Sequence, residues 1–133
     1  MSDDDGIDLA KRRCKPCRAG TPPLAEGEIA RMLTRIPDWE HRDGAIIRTF
    51  RFPSYWQTIA FVNAAAWVAH REDHHPELTV GYGTCRVAYW THAVNGISEN
   101  DFICAAKIDA LFALGQPSPE PVGDGEEQDE EKP

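Results

Sequence analysis

The stretch that decides the fold runs from residue 43 to residue 76 and reads DGAIIRTFRFPSYWQTIAFVNAAAWVAHREDHHP. Phe50 and Phe52 alternate with polar residues, which is typical of a strand with one buried face. Apolar residues then recur every three or four positions, which predicts a long amphipathic helix over residues 55–73. Pro76 ends this helix, because proline disfavours the helical conformation of the residue before it.

Two hairpins are predicted, one on each side of the long helix. Asp43-Gly44 favours the positive φ angles of a tight turn. Gly83 separates a second pair of segments in which apolar residues alternate with polar ones. The four strands are predicted over residues 39–42, 45–52, 77–82 and 84–92.

A shorter helix is predicted at each end of this core. Residues 24–36 have helical spacing, with acidic residues early and basic residues late, as the helix dipole favours. Residues 102–114 follow a helix start at Ser98-Glu99-Asn100-Asp101 and stop at Gly115. The sequence therefore predicts an α+β two-layer sandwich: a four-stranded antiparallel sheet with three helices on one face, in the order α-β-β-α-β-β-α.

The other face of the sheet needs water, a ligand or a partner. Strand alternation places Arg86, Ala88, Trp90 and His92 on it. A large aromatic residue beside small ones is typical of an interface, so we expect a homo-oligomer, a dimer or a tetramer.

The chain has 133 residues, enough for one domain. We expect a flexible N-terminal extension over 1–20, a folded domain over 21–116 and a disordered tail over 117–133. The tail holds seven acidic residues against one lysine and cannot bury a core.

Charge and hydropathy exclude two classes of partner. Most of the net charge of −8 lies in the tail, and the rest of the chain lacks the basic patch that binds nucleic acid. No apolar run approaches the roughly 20 residues of a membrane span. The N-terminus lacks the features of a secretory signal, so we expect a cytoplasmic protein with reduced cysteines.

The candidate chemistry lies in a group of histidines. Four of the five fall between positions 70 and 92, namely His70, His74, His75 and His92. Imidazole exchanges protons near neutral pH, so converging rings suit the addition or elimination of water. The spacing is equally compatible with a solvated loop and an ordinary strand end.

Metal binding is a further alternative. His70 and His74 are four residues apart on one helix face, but Arg71 stands where the metalloprotease pattern requires glutamate. Cys14 and Cys17 make half a structural zinc site, and no second pair completes it. Both are weak metal candidates.

These residues and their spacing resemble one known family. The segment His70-Arg71-Glu72-Asp73-His74-His75-Pro76, followed by Tyr82, His92 and Asp101, is similar to the signature of pterin-4a-carbinolamine dehydratases. The resemblance extends over about residues 24–112 and includes Ile36-Pro37-Asp38-Trp39 and Phe50-Arg51-Phe52.

The resemblance implies an activity. Family members dehydrate 4a-hydroxytetrahydropterin, a by-product of aromatic amino acid hydroxylases, to quinonoid dihydropterin during tetrahydropterin recycling, with no metal or organic cofactor. By resemblance His74 and His92 exchange protons with the substrate and His75 binds and orients it. Asp101 would orient an imidazole or cap a helix.

The chain departs from the family pattern near the motif. His70 stands at a position that is often acidic, and Leu78 at one that is often aromatic, so Tyr82 or Trp90 would supply the apolar wall for the pterin. Family members also act as non-catalytic dimeric binding or assembly factors, which is the alternative function.

Overall fold

The computed structural model describes the chain from residue 4 to residue 115 and the side chains of residues 8–114. The predicted acidic tail, 117–133, lies outside the described residues. The helices are α1 (Asp4–Lys11), α2 (Glu26–Leu33), α3 (Tyr55–Glu72) and α4 (Glu99–Gly115). The strands are β1 (Glu40–Arg42), β2 (Ala45–Arg51), β3 (Glu77–Val80) and β4 (Thr84–Tyr89), and a short 3-10 helix spans His92–Val94.

The four strands form one antiparallel sheet in the order β1-β2-β4-β3. The first hairpin turns at Asp43 and Gly44, whose φ angles are 55° and 78°. Two positive φ angles match the twist of the flanking strands, which is why this dipeptide gives a tight turn. The predicted α+β class and antiparallel sheet are confirmed.

One face of the sheet carries the main core. β2 and β4 contribute Ile46, Phe50, Cys85, Val87 and Tyr89, all at most 1% exposed. Side chains of all four helices complete the same core, among them Leu9, Ile29, Phe61 and Phe102. The opposite face buries only a small group: Ala45, Ile47 and Ala88.

A polar contact crosses this core. Arg48 lies on the covered face of β2, with its guanidinium 4.3 Å from the centre of the Phe50 ring. It donates to Asp109 of α4 over 2.6 Å, and the Trp39 indole donates to the same oxygen over 2.9 Å. Burial raises the pKa of Asp109, against the opposing effect of these two donors. The contact fixes α4 against β2.

Helix α3 has a defined start and end. The Ser54 hydroxyl accepts a hydrogen bond from the backbone N–H of Gln57, which caps the first turn. Asp73 adopts a left-handed conformation with φ of 52°, so the helix ends there and the chain turns sharply. His74 is therefore the first residue beyond the turn.

Strand β4 ends earlier than predicted. Its last residue is Tyr89, whereas the alternation predicted a strand through His92. Thr91 instead bridges to Gly96, donating its N–H to the Gly96 carbonyl over 2.7 Å, and the chain between them closes into the 3-10 helix. The prediction that His92 lies on a strand is wrong.

Helix α1 was not predicted. Residues 1–20 were expected to be a flexible extension, but α1 packs along α4 and its Leu9 is completely buried. The Lys107 ammonium donates to the Ala10 carbonyl over 2.6 Å, at the last turn of α1, where carbonyls lack partners. A buried leucine and a capped end hold this segment on the domain.

None of the helices in the described part of the chain is both long and apolar enough to cross a bilayer.

The packing of α1 leads to a prediction. We expect Leu9→Ala to lower the free energy of unfolding by about 2–5 kcal/mol, because a buried leucine is truncated. Leu114→Ala is the matched control, since Leu114 is 86% exposed, and it should change stability by less than about 0.5 kcal/mol. Urea unfolding measures both. Equal stability of the two variants would contradict the packing of α1.

Candidate active site

A cavity of about 550 Å³ opens where α3 ends, β4 ends and α4 begins. This volume lies within the range of small-molecule sites in proteins. The residues that line it come from three parts of the chain: residues 14–17, residues 72–75 and residues 90–93, together with Asn100. Three of the predicted catalytic residues, His74, His75 and His92, are among them.

His74 is fixed by a buried carboxylate. Its Nε2 lies 2.6 Å from Oδ1 of Asp101, and Asp101 is completely buried. A carboxylate accepts hydrogen bonds and does not donate them, so Nε2 is the donor of this hydrogen bond and Nδ1 is the ring nitrogen that does not contact Asp101. The ring also stacks on Tyr89, with centroids 5.6 Å apart and planes inclined by 8°. The orientation of the ring is thus fixed on two sides.

Asp101 itself is held by the start of α4 and the end of β4. Its Oδ2 accepts from the Ser98 backbone N–H over 2.9 Å and from the Thr91 hydroxyl over 2.8 Å. The contact with Ser98 is the reciprocal half of a capping box, which stabilises the helix start. Asp101 therefore contacts both the start of α4 and the His74 ring.

His75 and His92 are more open than His74. Both are exposed, with His75 just before Pro76 and His92 opening the 3-10 helix. Trp90 also lines the cavity and is 39% exposed. The cavity thus combines one fixed imidazole, two accessible imidazoles and an indole.

Two other candidates lie elsewhere. His70 is exposed on α3 and does not line the cavity. Tyr82 is 71% exposed at the turn between β3 and β4, where its ring stacks on Tyr55 at 6.0 Å. The structure does not bring these two side chains together with the three histidines.

Part of the cavity wall was missed by the sequence analysis. Residues 14–17, together with Glu72 and Asn100, line it. The Cys14 N–H donates to Glu72 over 2.9 Å, and Asn100 exchanges two hydrogen bonds with the Lys15 backbone. The Cys-x-x-Cys motif singled out this segment, but no local pattern indicates contacts with residues 58 and 85 positions away.

Glu72 is a buried anion beneath this wall. Burial alone would raise its pKa, but the Cys14 N–H and the cations of Lys107 and Arg13 outweigh burial, and the pKa is lowered. Because the pKa of Glu72 in the fold lies below its usual value of 4.5, the ionised carboxylate stabilises the fold at any pH above 4.5. This contribution is lost as the pH falls through the lowered pKa.

The histidines and cysteines of this region are also the candidates for metal ligands. Among the residues that the structure describes, no group of three or more His, Cys, Asp or Glu side chains is placed to hold a metal ion. His74, one half of the His70 and His74 pair that was the alternative for a metal site, is hydrogen-bonded to Asp101. Cys14 contacts Cys104, with the two sulfurs 3.4 Å apart.

Comparison with known proteins places the chain in a family. The family model described as pterin 4 alpha carbinolamine dehydratase matches residues 22–111. A protein of Nitrosomonas europaea is 58% identical over 106 residues, which are 79% of this chain and 94% of that protein. One of Nitrosospira multiformis is 54% identical over 107 residues, 80% of this chain and 95% of that protein. Both carry the provisional name pterin-4-alpha-carbinolamine dehydratase.

A solved structure has the same fold. The crystal structure of a transcriptional coactivator/pterin dehydratase from Brucella melitensis superposes with a TM-score of 0.65 and 34% sequence identity. The match covers 67% of this chain and 97% of that one. The chain belongs to the pterin-4a-carbinolamine dehydratase family, and the predicted family is confirmed.

The hydrogen bonds around Asp101 lead to a stability prediction. Thr91→Val removes a hydroxyl donor from a completely buried carboxylate. We expect the free energy of unfolding to fall by about 1.5–3 kcal/mol, the usual contribution of a hydrogen bond to a charged group. Thr79→Val is the matched control, because Thr79 is exposed on β3. If both variants unfold at the same urea concentration, the Thr91 hydroxyl does not support Asp101.

Proposed function

We propose that this protein is a dehydratase that converts 4a-hydroxytetrahydropterin to quinonoid dihydropterin and water. The observation that carries the proposal is one cavity lined by His74, His75 and His92, with His74 fixed by a buried carboxylate. Membership of the family gives the substrate class. The fold family also includes non-catalytic members, and the three histidines in the cavity are what favours the reaction here.

The reaction needs one acid and one base. The C4a–O bond breaks once the hydroxyl has been protonated, because water is a far better leaving group than hydroxide. The proton on N5 is removed and its bonding electrons form the C4a–N5 double bond. One proton enters and one leaves, so imidazoles that titrate near neutral pH can catalyse the reaction without any cofactor.

His74 is proposed as the base. Its Nε2 proton is committed to Asp101, so Nδ1 is the atom that accepts a proton. The carboxylate stabilises the imidazolium that forms, as the orienting carboxylate does in other histidine bases. Asp101 is thus a positioning residue, with no contact to the reacting atoms.

His92 is proposed as the acid and His75 as a binding residue. Both rings are exposed at the mouth of the cavity and can rotate to meet a substrate that enters. Trp90 offers an aromatic face against which the flat pterin ring can stack. His70 and Tyr82 have no part in this arrangement.

The cellular setting is part of the proposal. We place the protein in the cytoplasm, beside an aromatic amino acid hydroxylase that supplies its substrate. We also propose a homodimer or homotetramer. The exposed Trp90, a large aromatic residue of the kind enriched in interfaces, supports association.

The proposal predicts the effect of removing each proton-transfer residue. His74→Ala and His92→Ala should each lower kcat for chemically generated 4a-hydroxytetrahydropterin roughly 100- to 10,000-fold, the usual contribution of a general acid or base. The absorbance change on dehydration measures this. His75→Ala should instead mainly raise KM.

His41→Ala is the matched control. His41 lies on β1 and does not line the cavity, so its replacement should leave kcat and KM unchanged. Circular dichroism checks that each variant is folded. Folded His74→Ala and His92→Ala proteins with the wild-type rate would reject the dehydratase and favour a non-catalytic binding protein.

A further inference from the structure

We propose that Cys14 and Cys104 form a reversible disulfide that ties one wall of the cavity to helix α4. Their sulfur atoms lie in contact, 3.4 Å apart. The two residues are 90 positions apart in the sequence. The proposed dehydration uses neither thiol, so this site is independent of the proposed function.

The backbone around Cys14 is held in position. Its N–H donates to the buried Glu72 carboxylate over 2.9 Å. The next residue, Lys15, donates its N–H to the Asn100 side chain over 3.0 Å and accepts from the Asn100 amide over 2.6 Å. Asn100 is one helical turn before Cys104 on α4, so these bonds hold the two sulfurs together. A disulfide needs them only about 1.4 Å closer.

The two thiols differ in access. Cys14 is half-buried and lines the cavity, whereas Cys104 is completely buried. A small oxidant therefore reaches Cys14 first. The hydrogen bond with Cys14 and burial both raise the pKa of Cys104, so the accessible Cys14 is the thiol that reacts first.

The oxidant is a low-molecular-weight disulfide, such as oxidised glutathione. The Cys14 thiolate attacks one sulfur of the oxidant and releases the first small thiolate, which leaves a mixed disulfide. The Cys104 thiol then loses its proton, its thiolate attacks the Cys14 sulfur of the mixed disulfide, and the second small thiolate leaves and takes up a proton. Two protein thiols and one small disulfide thus give one protein disulfide and two small thiols.

Cys17 is the competing partner in the sequence, since it completes the Cys-x-x-Cys motif. In the structure its sulfur accepts from the Asn100 amide over 3.4 Å, while the Cys14 sulfur contacts Cys104. The geometry therefore favours the bond to α4 over a bond within the motif.

The experiment oxidises the reduced full-length protein with oxidised glutathione and maps the product. Alkylation of free thiols, digestion and mass spectrometry should find a peptide joining Cys14 to Cys104, lost again with dithiothreitol. The oxidised protein should have a higher Tm than the reduced one, because the bond closes a long loop of the unfolded chain.

Variants separate the possible bonds. Cys14→Ser and Cys104→Ser should each abolish the joined peptide and the rise in Tm. Cys85→Ser is the control, since Cys85 is equally buried but lies on β4, and this variant should keep the bond. Circular dichroism of the reduced variants shows whether each is folded. If Cys104→Ser does not fold, Cys14→Ser alone tests the proposal. A joined peptide of Cys14 and Cys17, or four free thiols after oxidation, would overturn the proposal.

Discussion

The site depends on one buried carboxylate. Asp101 has no exposed surface, and its two oxygens bind the Thr91 hydroxyl, the Ser98 N–H and the His74 ring. These partners come from the end of β4, the start of α4 and the chain after α3. A buried charge is tolerated only where several donors compensate its lost hydration. The three segments must therefore meet at this point, and their meeting defines the cavity floor.

The local features of the fold could be predicted from the sequence. The tight turn at Asp43-Gly44 depends only on the conformational preferences of these two residues, which both adopt positive φ angles. The apolar repeat of α3 and the stop before Pro76 are likewise local, and they place His74 and His75 at a helix exit. Spacing and family resemblance together pointed to three histidines that line the cavity, although His92 lies on a 3-10 helix and not on a strand.

What escaped prediction depends on contacts that hydrophobic spacing does not encode. The end of β4 is set by the bridge between Thr91 and Gly96, which no alternation pattern encodes. The Arg48 and Asp109 pair joins residues 61 positions apart. Helix α1 and residues 14–17 are held by partners in α3 and α4. The sequence of this segment alone is charged and contains no sign of these partners, so it predicts a flexible extension.

The left-handed turn at Asp73 limits how this family member can vary. With φ of 52°, this position favours glycine, asparagine or aspartate, because other side chains clash with the backbone there. A β-branched residue at position 73 would push the backbone out of this conformation and swing the next residue, His74, away from Asp101. A substitution at position 73 thus displaces His74 without replacing any of the three histidines, which is one simple route by which the proposed catalytic arrangement is lost on an unchanged scaffold.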